Sequence, residues 1–479
     1  MLALAPSPDL TAAEQFAMDL LVDLSRVVPF TGEADVVRVG VVGAAAPRSV
    51  RALSDSGWGI TASDGAVHVE RSLLQIVVDV AGAAAEQRSS ARDPYGRVPS
   101  SDNPLVAEGL EREPVVSQAA QALGRAVCDA AGRRPVAFVT PWPDGRRWAA
   151  AFTHDLDVVD GWPVFTALRL AELARKGELS RGARVAVAAL GAVLRRPVHG
   201  AITDVLRMER AHGVHSTWFV ICGERTLGTW RAGDITYDPS SAVARKIYRD
   251  ILAGGHEVGL HGSFATMDDA ALLAAQRERL GALTGGAVHG VRQHFLRMQP
   301  GHTQSLMHDG GFAWDATFGF ADRNGFRLGV ADIVPSWNST TQRTAGVALA
   351  PFTWMDRALS KYRGVEDPRA WVDDAIEVAQ RCESVEGMWS GIWHPNLVAA
   401  LGYPDAPAAY AALLERLLAR DPYVAPLGDL VAWRRARAAV RAVAIRADGA
   451  PVLAPSAAGM RPVPLETAAS RPLESHVER

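Results

Sequence analysis

From residue 148 to about residue 420, short apolar runs alternate with amphipathic stretches, and this alternation constrains the fold more than any other feature of the sequence. Runs at 148–157, 215–220, 256–261, 288–295, 313–318, 346–352 and 388–393 read as strands; segments at 241–253, 268–283, 303–310, 369–382 and 406–419 read as helices. Strand followed by helix, repeated, predicts an α/β fold of parallel strands with crossover helices, closed into a distorted (β/α) barrel. Chemistry on such a fold gathers where the strands end. Asp155, Asp157, His261, His294 and His394 all fall at those ends.

The flanking segments divide the chain. Residues 1–140 read as an N-terminal α/β accessory domain: a helix at 12–27 that Thr11 can cap, strands at 36–42 and 73–80, and a helix at 115–131. They contain no cluster that points to chemistry. Three prolines and the Asp144-Gly145 turn between 135 and 147 mark the boundary. The barrel is expected over 141–425, with a helical insertion at about 160–210 beside the site mouth. Residues 426–479 read as a tail with one hairpin near 443–453 and a disordered end.

The chain has 479 residues and a formal net charge of -3, so no overall basic field recommends a nucleic acid as partner. Its three cysteines, Cys128, Cys222 and Cys382, lie far apart and suit neither a disulfide framework nor a paired-cysteine zinc site. Asp9, Glu14, Asp19 and Asp23 precede the first basic residue, Arg26, unlike a secretory signal. The longest apolar run, 185–194, is too short to span a bilayer. The expectation is a cytoplasmic protein, at most visiting the inner membrane face, with no integral membrane segment. Oligomeric state is not legible.

The stretch 148–157 carries the chemistry. An apolar run from Trp148 to Phe152 ends in Asp155 and Asp157, which share one face of an extended strand. A second strand ends in His261. Carboxylates and histidines delivered by neighbouring strand ends suit a divalent-metal hydrolase.

These segments resemble the polysaccharide deacetylases, the NodB-homology superfamily or carbohydrate esterase family 4, over about residues 148–420. The first motif of that family, T-F-D-D-G, is matched by Thr153-His154-Asp155-Leu156-Asp157, closer to a divergent T-H-D-x-D branch. Ser216-Thr217-Trp218-Phe219 is similar to its S-T-F-F strand, and Gly255 to His261 matches G-H-E-[IV]-G-x-H. Arg292-Gln293-His294 resembles the third motif, and His394 after Ile392-Trp393 resembles the last. Two positions depart: Leu156 stands where the family has a metal-binding aspartate, and Ala265 where it has its second metal histidine.

The resemblance implies hydrolysis of an N-acetyl group on an amino sugar or glycan, in surface-polysaccharide or glycoconjugate synthesis, with a divalent metal, zinc first. Asp157, His261 and His294 would then hold the metal, with His256 the other candidate in place of His294. Asp155 would be the general base, Arg292 would orient it, His394 would protonate the leaving amine, and Asp315 would keep His394 cationic. Sequence leaves open which of Asp155 and Asp157 is base and which is ligand. Other readings are a hydrolase of another amide, or a catalytically silent glycan-binding barrel.

Overall fold

All eight residues of Ala149–Leu156 are buried, because this strand runs through the middle of a ten-stranded sheet. The computed structural model describes residues 2–4, 9–32, 36–43, 48–159, 162–195, 199–446, 450–455 and 463–467. Strands β1 (Leu2–Leu4), β2 (Val37–Val42), β3 (Ile60–Ser63) and β4 (Ala66–Glu70) form a four-stranded sheet in the order β1-β2-β4-β3. Strand β5 (Ala137–Val139) pairs antiparallel with Leu465–Thr467.

The large sheet begins with β6 (Ala149–Leu156), β7 (Thr217–Ile221), β8 (Glu257–Gly262), β9 (Gly290–Gln293) and β10 (Trp314–Asp315). It continues with β11 (Val334–Asn338), β12 (Arg343–Leu349), β13 (Trp354–Met355), β14 (Met388–Ile392) and β15 (Tyr423–Val424). Its order is β11-β12-β10-β9-β8-β7-β6-β14-β13, with β15 also on β6. Only the β11–β12 pair is antiparallel. β11 and β13 do not pair with each other, so the sheet is an open, curled half-barrel. Close approach of β9 and β10 needs a glycine: a Cβ on Gly290 would lie 2.0 Å from the Trp314 ring.

The insertion folds as helices Trp162–Arg175, Leu179–Arg195 and His199–Ala211. The N-terminal helix Ala12–Ser25 starts at a capping box in which Thr11 and Glu14 satisfy each other's backbone N–H groups. Residues 73–80, expected as a strand, lie in the helix Arg71–Val80. Arg71, Gln75 and Asp79 sit four apart on its less buried side, a helical period hidden by the apolar residues between them.

One apolar core runs from Phe16 and Leu20 through Trp337 to Trp389, across the N-terminal residues and the large sheet. Buried polar ties cross the same boundary. Arg327 Nη2 lies 2.7 Å from Glu86 Oε2, and Asn103 Nδ2 donates to the Arg327 carbonyl at 2.9 Å. The segment after 426 contributes the helix Leu427–Ala438, whose buried Arg434 and Arg437 both pair with Asp332. The expected hairpin is formed by Ala442–Ile445 and Pro451–Leu453; its turn residues Asp448 and Gly449, and residues 468–479, lie outside the described residues.

Candidate functional site

Five strands of the half-barrel end at one place. Because β6, β8, β9, β13 and β14 run parallel, the residues at their carboxyl ends come together although they span 155 to 394 in sequence. β6 delivers Asp155 and Asp157, β8 delivers His261, and β9 delivers Arg292 and, just past its end, His294. β13 delivers Asp356 and β14 delivers His394.

Arg292 is fully buried beneath this cluster. Its Nη1 donates to Asp155 Oδ1 at 2.7 Å and to Thr153 Oγ1 at 3.0 Å, its Nε donates to the Ala316 carbonyl at 3.0 Å, and its guanidinium lies 4.1 Å from the centre of the Phe219 ring. Burial works against ionisation of Asp155, but Arg292, His261 and His394 outweigh it and hold the carboxyl below its ordinary range.

The histidines share one arrangement. His261 Nδ1 lies 2.9 Å from the Arg292 carbonyl oxygen, His294 Nδ1 3.1 Å from Asp234 Oδ1, and His394 Nδ1 2.6 Å from Asp356 Oδ1. An acceptor at each Nδ1 makes that nitrogen the donor and turns Nε2 toward the cluster. For His261 and His294 the inward lone pair meets Asp157 Oδ1, at 3.5 Å and 3.6 Å. That oxygen is buried and has no hydrogen-bond partner.

These three residues are the group among the described residues whose donor atoms could hold a metal ion. Ligands about 2.0–2.1 Å from a tetrahedral zinc stand about 3.4 Å apart; Asp157 lies 3.5 Å and 3.6 Å from the two imidazoles, and the three donor atoms all lie within 4.8 Å of one another. Charge agrees with spacing. Burial alone would strip His261 of a proton, yet Asp155 and Asp157 raise its pKa, and carboxylates that draw a proton to this point draw a cation equally. Asp157 is itself held well below the ordinary carboxylate range, its burial outweighed by His261, His394 and His294. The donor set therefore fits a divalent cation.

His394 Nε2 lies 3.9 Å from Asp155 Oδ2 and 3.8 Å from Asp157 Oδ2. Burial opposes its positive charge, but Asp356 and Asp157 raise its pKa above the usual histidine range. Asp356 also accepts from the His394 backbone N–H at 2.6 Å.

The expectation that Asp315 partners His394 is corrected. Asp315 accepts from Gln304 Nε2 at 2.9 Å and from Thr317, with burial raising its pKa. Asp356 fills that place, and Asp234 behind His294 was likewise not foreseen. His256 is remote from the cluster: its Nδ1 accepts the Ser216 backbone N–H at 3.0 Å, inside a buried network with Glu209. Trp337, Trp354, Trp389 and Trp393 are all buried and serve packing. The 322–327 loop is tied down by Ser100, Asp374 and Glu86.

Above the cluster opens a cavity of about 560 Å³. Asp155, Asp157, His261, His294 and His394 form its floor, and the insertion contributes Phe165, Arg169 and Arg181 to its wall. His294 enters it through a strained turn: Phe295 and Leu296 both adopt left-handed backbone, with φ of 58° and 55°. The Phe295 ring stacks on His294 at 4.0 Å.

No protein-family model and no curated protein matches the sequence. Among solved structures, the chain is similar to a candidate polysaccharide deacetylase from Mycobacterium smegmatis, at 21% identity over 64% of this chain and 96% of that one, with a TM-score of 0.42. It is similar to Puue allantoinase at 15% identity, covering 63% and 93%, with a TM-score of 0.39. A pseudoenzyme of carbohydrate esterase family 4 from Bacillus anthracis matches at 10% identity, covering 59% and 65%, with a TM-score of 0.29.

Proposed function

We propose that this protein is a metal-dependent N-deacetylase that hydrolyses the N-acetyl group of an amino sugar or glycan, within surface-polysaccharide or glycoconjugate biosynthesis. The curled sheet is read as the distorted barrel of the polysaccharide deacetylases, over 141–425, and residues 1–140 as its accessory unit. One observation carries the proposal: the inward Nε2 atoms of His261 and His294 meet the partnerless Oδ1 of Asp157, between a carboxylate on Arg292 and a histidine on Asp356.

Asp157, His261 and His294 would hold the cation, zinc by the chemistry of the donors. The chemistry it supplies when bound is Lewis acidity toward a water molecule and an acyl oxygen. Asp155, kept anionic by Arg292, accepts a proton from the attacking water as the new carbon–oxygen bond forms. His394, kept cationic by Asp356, gives its proton to the amide nitrogen as the carbon–nitrogen bond breaks. The acid and the amine leave, the acid ionising to acetate as the amine takes up a proton in water, and the proton on Asp155 resets His394. The two aspartates thus divide the work, the one on Arg292 as base and the one facing two imidazoles as ligand.

The test is metal analysis of the purified protein beside acetate release from N-acetylglucosamine oligomers. Near-stoichiometric divalent metal and acetate release that both fall in His261→Ala and His294→Ala support the reading. Metal without acetate release, but with hydrolysis of simple amides, moves it to another amide hydrolase. A wild-type protein that takes up no metal on reconstitution leaves the glycan-binding barrel.

A further inference from the structure

The cavity wall carries positive charge that the chain itself does not neutralise. Most basic side chains there are paired: Arg169 and Lys176 with Glu172, Arg181 with Glu178 and Glu366, Arg97 with Asp93. Arg357 and Lys361, on the turn after β13, are different. Arg357 Nη1 reaches the Tyr403 hydroxyl at 3.4 Å, its Nη2 reaches Asn396 Oδ1 at 3.2 Å, and its guanidinium lies over the Tyr403 ring at 5.6 Å. Lys361 Nζ lies 5.5 Å from the centre of the Tyr362 ring and 5.7 Å from that of Tyr95. No carboxylate among the described residues pairs with either. The carboxylates of the cavity are meanwhile engaged by other cations or by the three histidines.

A half-buried guanidinium with two long contacts to neutral oxygens is poorly compensated for the water it has lost. Arg357 directly follows Asp356, the partner of His394, and lines the same cavity as His394. The planar fork of an arginine suits the paired oxygens of a carboxylate or phosphate, with a nearby ammonium adding charge.

We propose that Arg357 and Lys361 bind an anionic group, phosphate or carboxylate, on the same sugar whose N-acyl group reaches Asp155 and His394, so that the substrate is an acidic N-acylamino sugar. The inference rests on the deacetylase reading, and binding tests it separately from hydrolysis.

Two measurements on the metal-loaded full chain decide it. The first is calorimetric binding of glucose 1-phosphate, glucuronic acid and glucose, which carry no acyl group to hydrolyse. The wild type should prefer an acidic sugar over glucose by about 10- to 100-fold, the range of a charge-assisted hydrogen bond. That preference should collapse toward unity in Arg357→Gln, fall partway in Lys361→Gln, and return only in part in Arg357→Lys. Which acidic sugar binds tighter separates phosphate from carboxylate. The second is acetate release from N-acetylglucosamine 1-phosphate, N-acetylmuramic acid and N-acetylglucosamine, where the same variants should raise KM for an acidic substrate more than they lower kcat. Equal binding of acidic and neutral sugars by the wild type overturns the proposal. So does a preference that survives Arg357→Gln but vanishes in His261→Ala, which places the anion on the metal ligands' side. Arg357-dependent binding without acetate release from any substrate keeps the anion site and removes the deacetylase reading.

Discussion

Asp356 Oδ1 stands 2.6 Å from Nδ1 of His394, and the other oxygen of the same carboxylate accepts the His394 backbone N–H. Side chain and main chain of the histidine are thus held by one group, fully buried at the end of the neighbouring strand. Orientation and charge of His394 come from the same contact.

Replacing Asp356 with Asn should separate those two roles. Asp356 helps raise the His394 pKa, so the charged histidine, and with it the activity, is present at low pH and lost as pH rises through that raised value. Asp356→Asn should move this alkaline limb to lower pH and lower kcat by about 10²- to 10⁴-fold. The acid limb, which the proposed base Asp155 would set, should stay in place. A profile of kcat/KM against pH, followed by acetate release, checks both limbs.

Metal occupancy should follow the donor atoms. Asp157→Asn, His261→Ala and His294→Ala should each lose the bound metal, while His256→Ala, altered outside the cluster, should keep it. Asp234→Ala removes the acceptor behind His294 Nδ1 and should weaken metal affinity by about 10- to 100-fold. Equilibrium dialysis with elemental analysis measures all five. Retention of metal by the His294 variant would remove that residue from the ligand set.

Arg292→Ala should be costly in two ways. Asp155 would keep its buried site without its cation, a change of about 3–5 kcal/mol in stability, read from urea unfolding. Its carboxyl pKa would also rise, carrying the acid limb of the rate profile to higher pH. Arg292→Lys, which keeps the charge but not the fork, should show smaller shifts of both kinds.

Glu209 predicts a dependence of stability on pH away from the chemistry. It is wholly buried and accepts from Tyr410 at 2.6 Å and Ser216 at 2.8 Å, with His154 Nε2 at 2.9 Å. Burial opposes its ionisation, but His154 and Tyr410 hold its pKa below the ordinary value. A carboxyl lowered in the folded state contributes stability above its unfolded pKa of about 4.3, and loses it as pH falls through the folded value. Glu209→Gln should flatten unfolding free energy against pH in that acid range, and Glu209→Ala should cost about 3–5 kcal/mol at neutral pH. Urea titrations from pH 3 to pH 7 test both.

Much of this site was legible because its residues close apolar runs long enough to be recognised as strands. His261 and His394 follow such runs directly, and Asp155 and Asp157 share a face by strand parity. Asp356 was not, because β13 is only two residues long and too short to show a period. Asp315, inside the run 313–318, was the acidic residue the sequence offered in its place. Its side chain faces Gln304 and Thr317 instead, a choice of face that a two-residue strand does not announce. Asp234 lies on a loop, and its contact with His294 joins positions far apart in the chain, which no local pattern encodes. The helix at 71–80 was hidden for the opposite reason: it is apolar over so much of its circumference that its period looked like a buried strand.

The spread of the candidate ligands across β6, β8 and β9 has a consequence for the order of events in assembly. No hairpin or short fragment contains the set; Asp157 meets His261 and His294 only after β7 has been inserted between β6 and β8 in register. A cation held by this set would then be captured only by a sheet that has already formed, unlike small zinc modules whose metal nucleates the chain around it. Chelation should leave the folded protein in place with a modestly lower melting temperature, and a nascent chain should gain its metal only after residue 294 has emerged and docked.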